Sequence, residues 1–149
     1  MASVQIYLDV CALSRPFDDQ SYLRIRVETE AVNLIMAYVK KGHYKLILSP
    51  VHTAETAAID DRFEREQIQG ILKRYGNQVG ADLKAVRQRT DELVQSGFGV
   101  ADAAHIAFAE AANAKFITCD DRLLRICSKR NICIWSGDPV KFCVMEDLK

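Results

Sequence analysis

Val4-Gln5-Ile6-Tyr7-Leu8-Asp9 is a short apolar stretch that stops on a carboxylate. Three later segments repeat the arrangement: Pro50-Val51-His52-Thr53-Ala54-Glu55, Gly99-Val100-Ala101-Asp102-Ala103-Ala104-His105 and Phe116-Ile117-Thr118-Cys119-Asp120-Asp121. A carboxylate at the end of a buried strand, or in the first turns of the next helix, sits where α/β proteins build their sites. Several carboxylates gathered there repel one another, and a divalent cation relieves the repulsion. The pattern suggests a metal-dependent enzyme.

Working outward, Val4–Leu8, Tyr44–Leu48, Lys115–Cys119 and Ile132–Trp135 read as strands. A long helix is expected over Ser21–Lys41, with Ile25, Val32, Ile35, Met36 and Val39 on one face at helical spacing. Ser49-Pro50 opens another, Ser as N-cap and Pro at the first helical position. Val100–Ala114 is almost wholly apolar after Asp102, so its helix should be buried. Asp120-Asp121 starts a helix to Lys129, and Val140–Val144 begins a short last one after a turn at Ser136-Gly137-Asp138-Pro139. Asp60–Gln95 reads as two polar-faced helices punctuated by Gly76, Asn77 and Gly80. These are expected to form a helical hairpin, an insertion at about 60–96 standing off the core. Strands separated by helices imply parallel pairing with right-handed crossovers. The expected fold is one three-layer α/β/α domain over residues 1–149, with a parallel sheet of four or five strands.

A chain of 149 residues, 49% of them apolar, can bury a sizeable core. The 20 basic and 20 acidic side chains cancel, which argues against holding nucleic acid by bulk electrostatics alone. The five cysteines are odd in number and form no C-x-x-C, so they read as reduced thiols. His43, His52 and His105 share no ligand spacing with them, which argues against zinc. No targeting segment is recognisable, and no apolar run approaches the roughly 20 residues of a membrane span. The expectation is a soluble cytoplasmic protein with no membrane partner.

Asp9 and Asp120 follow strands that a parallel sheet would end on one edge, and Glu55 and Asp102 open helices that start near it. Singly, Asp102 and Asp120 read as helix caps and Glu55 as a solvated helix residue; the set is the signal. Oxygen ligands without histidine or thiolate favour a hard cation, Mg²⁺ or Mn²⁺. There is no P-loop, G-x-S-x-G or H-E-x-x-H, and Cys11 and Ser14 have no evident histidine partner for nucleophilic catalysis.

These four segments resemble the motifs of the PIN domain family of metal-dependent ribonucleases, a group that includes VapC-like proteins. Ile6-Tyr7-Leu8-Asp9-Val10-Cys11-Ala12-Leu13 is similar to the family's opening motif, and Leu48–Glu55, Val100–Ala107 and Phe116–Leu123 to its next three, in order. The resemblance spans nearly the whole chain. It implies that Asp9, Glu55, Asp102 and Asp120 are the acidic quartet that is both catalytic and metal-binding, holding Mg²⁺ or Mn²⁺. It implies that Thr118 supports the quartet, and that Asp121 either replaces or assists Asp120. It implies an endoribonuclease that hydrolyses phosphodiester bonds of single-stranded RNA. Many small members are toxins of toxin–antitoxin pairs, which implies an antitoxin protein partner and a homodimer. One position departs from the family: Cys11 stands where Ser or Thr is common, and a thiol is a poorer hydrogen-bonding group.

Arg15, Arg24 and Arg26, or else Arg122, Arg125, Lys129 and Arg130, are candidates to meet RNA phosphates, against the plainer reading of a solvated helix face. Phe17 and Tyr22 are candidates to stack on bases, against packing. His105, one helical turn after Asp102, could approach the acids or pack on the sheet. The rival to an enzyme is a non-catalytic PIN-fold module that binds RNA or protein.

Overall fold

A computed structural model describes residues 3–149. In chain order the elements are β1 (Val4–Leu8), α1 (Val10–Ser14), a 3-10 turn (Arg15–Phe17), α2 (Leu23–Lys40), β2 (Tyr44–Leu48), α3 (Pro50–Ala57) and α4 (Arg62–Tyr75). Then come β3 (Gly76–Gln78), α5 (Leu83–Gln95), α6 (Val100–Ala111), β4 (Lys115–Ile117), α7 (Asp121–Lys129), β5 (Ser136–Gly137) and α8 (Pro139–Met145). The strands form one five-stranded sheet in the order β3-β2-β1-β4-β5, parallel throughout.

Alternation along the central strands sorts the molecule into layers. Ile6, Leu8 and Leu46 face one side, where Val32 and Ile35 of α2, Ile68 and Leu72 of α4 and Phe142 of α8 cover them. Tyr7, Ile47 and Phe116 face the other, under Val86 and Leu93 of α5, Ile106 of α6 and Leu123 of α7. The alanines of α6 matter here. Ala103, Ala107 and Ala109 are buried, and their small side chains bring the helix close to the sheet.

From β1 the chain moves outward through β2 and β3, then returns to build β4 and β5 on the other side. The strand order therefore reverses between β1 and β4. In open α/β sheets the crevice beyond the carboxyl ends of such strands is where ligands bind. Asp9 follows β1 directly, and Asp120 lies just beyond β4.

Two expectations are corrected. The segment at 60–96 is not a helical hairpin off the core. It holds two helices, but Gly76–Gln78 between them is an edge strand pairing with Leu46–Leu48, and α4 and α5 lie on opposite faces of the sheet. Gly76 reads as punctuation, yet it is where the chain turns from helix into sheet. A Cβ there would collide with the Leu72 carbonyl and press on Leu48. The last strand is Ser136–Gly137, not Ile132–Trp135. Phe116 N–H donates to the Trp135 carbonyl and Thr118 N–H to that of Gly137. Ile132 and Ile134 instead lend their side chains to the core beside α6 and α7. The apolar run marked burial rather than the hydrogen-bonded register. At Gly137 a Cβ would lie 2.5 Å from the Trp135 ring, so glycine leaves the room that ring occupies.

Candidate active site

Asp9, Glu55, Asp102 and Asp120 line one cavity of about 430 Å³, together with Val10, Cys11, Ala58 and His105. No lysine or arginine is among these lining residues. Asp9 caps α1: its Oδ1 accepts from Ala12 N–H at 3.0 Å and from the Cys11 thiol at 3.1 Å. Burial raises its pKa, against the hydrogen bonds of Thr118 and Cys11 that hold it down. Cys11 is exposed at the cavity, but desolvation of its thiol by the surrounding protein and the charge of Asp9 push it above its ordinary value, so Cys11 stays protonated and donates. Asp102 lies in the first turn of α6 and accepts no hydrogen bond among the described residues. Burial raises its pKa, and the charges of Asp9, Asp120 and Glu55 raise it further. Asp120 caps α7, with Oδ1 accepting from the N–H groups of Arg122 and Leu123.

Thr118 is fully buried, and its Oγ1 accepts from Asp120 N–H at 3.1 Å and lies 3.3 Å from Cys11 Sγ. It braces the loops that carry Asp9 and Asp120. Asp121 points elsewhere. It forms a two-pronged pair with Arg24 (2.6 and 2.8 Å), and Arg24 holds its carboxyl below the usual range. Of the two neighbouring aspartates, Asp120 is the one that lines the cavity.

Glu55 is placed by a partner that spacing only hinted at. Its Oε1 lies 2.5 Å from His105 Nε2, and His105 holds its pKa down. His105 Nδ1 lies 2.5 Å from Tyr7 Oη, which lies 2.7 Å from Ser49 Oγ. Behind them His52 Nδ1 accepts from Ser49 N–H (3.1 Å), so Nε2 carries the proton and donates to the Leu8 carbonyl at 2.7 Å. His52 is thereby neutral, and burial lowers its pKa to about 4. The i, i+3 spacing of Asp102 and His105 was the available signal for His105. Tyr7, Ser49 and His52 left none, because they read as strand core and helix start.

Arg15 and Arg24 are engaged inside the protein. Both hold the buried Glu28, Arg15 at 2.7 Å and Arg24 at 3.3 Å, and Arg15 also holds Asp18. Arg26 donates to the carbonyls of Gln20 and Ser21. On α7 and at its C-cap, by contrast, Arg122, Arg125, Lys129 and Arg130 are exposed, and none joins an ion pair among the described residues. Phe17 meets Phe63 edge-on, and Tyr22 is exposed.

The donor chemistry of the cavity suits Mg²⁺ or Mn²⁺: four carboxylates, that of Asp102 without any hydrogen bond among the described residues, and no lysine or arginine in the lining. Among the described residues no three His, Cys, Asp or Glu side chains close around a point that could hold an ion.

No family model and no curated protein matches the sequence. Solved structures share its fold. A chain of FitAcB from Neisseria gonorrhoeae is similar at TM-score 0.55 and 15% identity, over 91% of this chain and 98% of that one. A chain of VapBC2 from Rickettsia felis, bound to a DNA fragment from their promoter, is similar at TM-score 0.60 and 14% identity, over 91% and 98%. A chain of FitAB bound to an IR36 DNA fragment is similar at TM-score 0.56 and 15% identity, over 90% and 94%. The fold is that of a PIN domain.

Proposed function

We propose that this PIN-fold protein is a Mg²⁺- or Mn²⁺-dependent endoribonuclease that hydrolyses phosphodiester bonds of single-stranded RNA. The observation that carries the reading is four carboxylates around one cavity at the strand-order reversal, with no arginine or lysine among them. Asp9, Glu55, Asp102 and Asp120 would hold the cation. When bound, it supplies positive charge against the charge developing on the phosphate and lowers the pKa of water at the site. The chain's own residues do the rest. Ala12 N–H and the Cys11 thiol fix Asp9, Thr118 ties its loop to that of Asp120, and Asp102 keeps both oxygens available. The exposed, unpaired basic side chains of α7 begin one turn from the cavity and would carry the RNA backbone away from it.

The reading extends to a toxin that works in the cytoplasm with an antitoxin protein partner. The two-component VapBC and FitAB complexes among the similar structures support that partner. A homodimer is part of the same reading, supported by the exposed apolar residues Leu23, Val27 and Val144 on α2 and α8. No helix among the described residues is long and apolar enough to cross a membrane. A non-catalytic PIN-fold module that binds RNA or protein is the second reading, favoured by the absence of a closed ligand cluster among the described residues. The deciding experiment incubates purified protein with end-labelled single-stranded RNA, with Mn²⁺ and with EDTA. Cleavage only with the metal is expected; no cleavage over a range of RNAs and metals overturns the enzyme in favour of the module.

A further inference from the structure

Glu55 is on the second turn of α3, and its side chain is 37% exposed. A glutamate so placed ordinarily swings among many rotamers. Here one oxygen is taken by His105 Nε2, and the other nitrogen of that ring is taken by Tyr7 Oη, both at 2.5 Å. His105 and Tyr7 are buried, so the bond between them does not compete with water, and the ring cannot turn without losing one of its two bonds. One proton arrangement satisfies every bond of the chain. Ser49 Oγ–H donates to Tyr7, Tyr7 O–H to His105 Nδ1, and His105 Nε2–H to Glu55. Tyr7 lies two residues before Asp9 on β1, and His105 three after Asp102 on α6. The chain of bonds therefore fixes Glu55 relative to the strand that carries Asp9 and the helix that carries Asp102.

We propose that His105 is a positioning residue of the acid cavity: oriented by Tyr7, it clamps one oxygen of Glu55 to the wall and leaves the other for a divalent cation. The inference rests on the cation-dependent reading above. Carboxylate ligands are themselves commonly held by hydrogen bonds, and removing such a partner costs roughly 10–100-fold in metal affinity. A histidine that only filled space between α6 and β1 would affect stability and leave ion binding alone.

The test is Mn²⁺ binding to the purified protein, read from the electron paramagnetic resonance signal of free Mn²⁺. Folding of each variant is checked by circular dichroism. Tyr7→Phe and His105→Ala should each weaken binding about 10-fold. His105→Gln, which keeps an N–H donor for Glu55, should recover much of the loss. In a Glu55→Gln background Tyr7→Phe should cost nothing further, because its effect passes through that carboxylate. Should His105→Ala not fold, Tyr7→Phe alone carries the test. Unchanged affinity in folded Tyr7→Phe, or an equal loss in the Glu55→Gln background, overturns the positioning role and leaves the cation-dependent reading intact. Failure of the unaltered protein to bind Mn²⁺ overturns both.

Discussion

Two clusters of charge lie side by side at the carboxyl edge of the sheet, and they are built on opposite principles. In the cavity, Asp9, Glu55, Asp102 and Asp120 are accompanied by one histidine and no arginine or lysine. Beside it, Asp18, Glu28 and Asp121 are matched by Arg15 and Arg24. The consequence is visible in their acidities. Burial raises Asp9, burial and the charges of Asp9, Asp120 and Glu55 raise Asp102, whereas Arg24 lowers Asp121. The arginine cluster is complete, and it ties α2 to the start of α7. The cavity is short of positive charge, so its buried carboxylates, when ionised, work against the fold.

The contrast breaks most readily at Asp102. Asp102→Asn should lower Mn²⁺-dependent cleavage of single-stranded RNA by at least about 100-fold, the scale of a lost charge-stabilising contact. The metal-free variant should melt no lower than the parent, because a carboxylate with a raised pKa weakens the fold when ionised. Cleavage within a few-fold of the parent, or a clear drop in Tm, would show that Asp102 belongs to the structural kind.

The wall behind the cavity gives a pH signature. His52 has a folded pKa of about 4 against an ordinary 6.5, so between those values the unfolded chain binds more protons. Its contribution to stability is complete above pH 6.5 and is lost as pH falls toward 4, by about 3 kcal/mol. Asp9 and Asp102, raised in the fold, act in the opposite direction in acid. Urea titrations of the parent and of His52→Gln over this range should differ in slope; parallel curves would refute the assignment of a neutral His52.

In the complete cluster, Glu28→Gln should cost about 2 kcal/mol in urea unfolding, since it leaves Arg15 without its closest partner. Cleavage by the folded protein should stay within a few-fold, and a loss as deep as that of Asp102→Asn would erase the distinction. The smallest effect is expected on α7. Arg125→Ala with Lys129→Ala should weaken single-stranded RNA binding several-fold and reduce the salt slope by about 1.4, from roughly 0.7 per phosphate contact. Fluorescence anisotropy at several salt concentrations reads both, and an unchanged slope would return these residues to a solvated face.

The central strands, the long α2 and the Ser49-Pro50 start of α3 were legible because each is a local pattern: an apolar run, a helical period, a cap. The edges of the sheet were not. β3 and β5 are glycine-containing pieces of three and two residues, and only pairing with a neighbour already in place makes them strands. α4 and α5 look alike in sequence, and nothing local says that β3 sends them to opposite faces.

By itself the sequence determined the central strands, the long helix α2 and the four acidic boundaries, because strand and helix periods and the position of a carboxylate at an apolar edge are written in neighbouring residues. Tertiary structure alone decided which acids share a cavity. Asp120 and Asp121 are adjacent in the chain, yet one lines the cavity and the other turns to Arg24, 97 positions away. It alone joined Glu55 to His105, 50 positions away, and His105 to Tyr7, 98 positions away, into one hydrogen-bonded wall. Such partnerships depend on the direction in which each side chain leaves its element once the sheet and helices are packed, and no local pattern carries that direction.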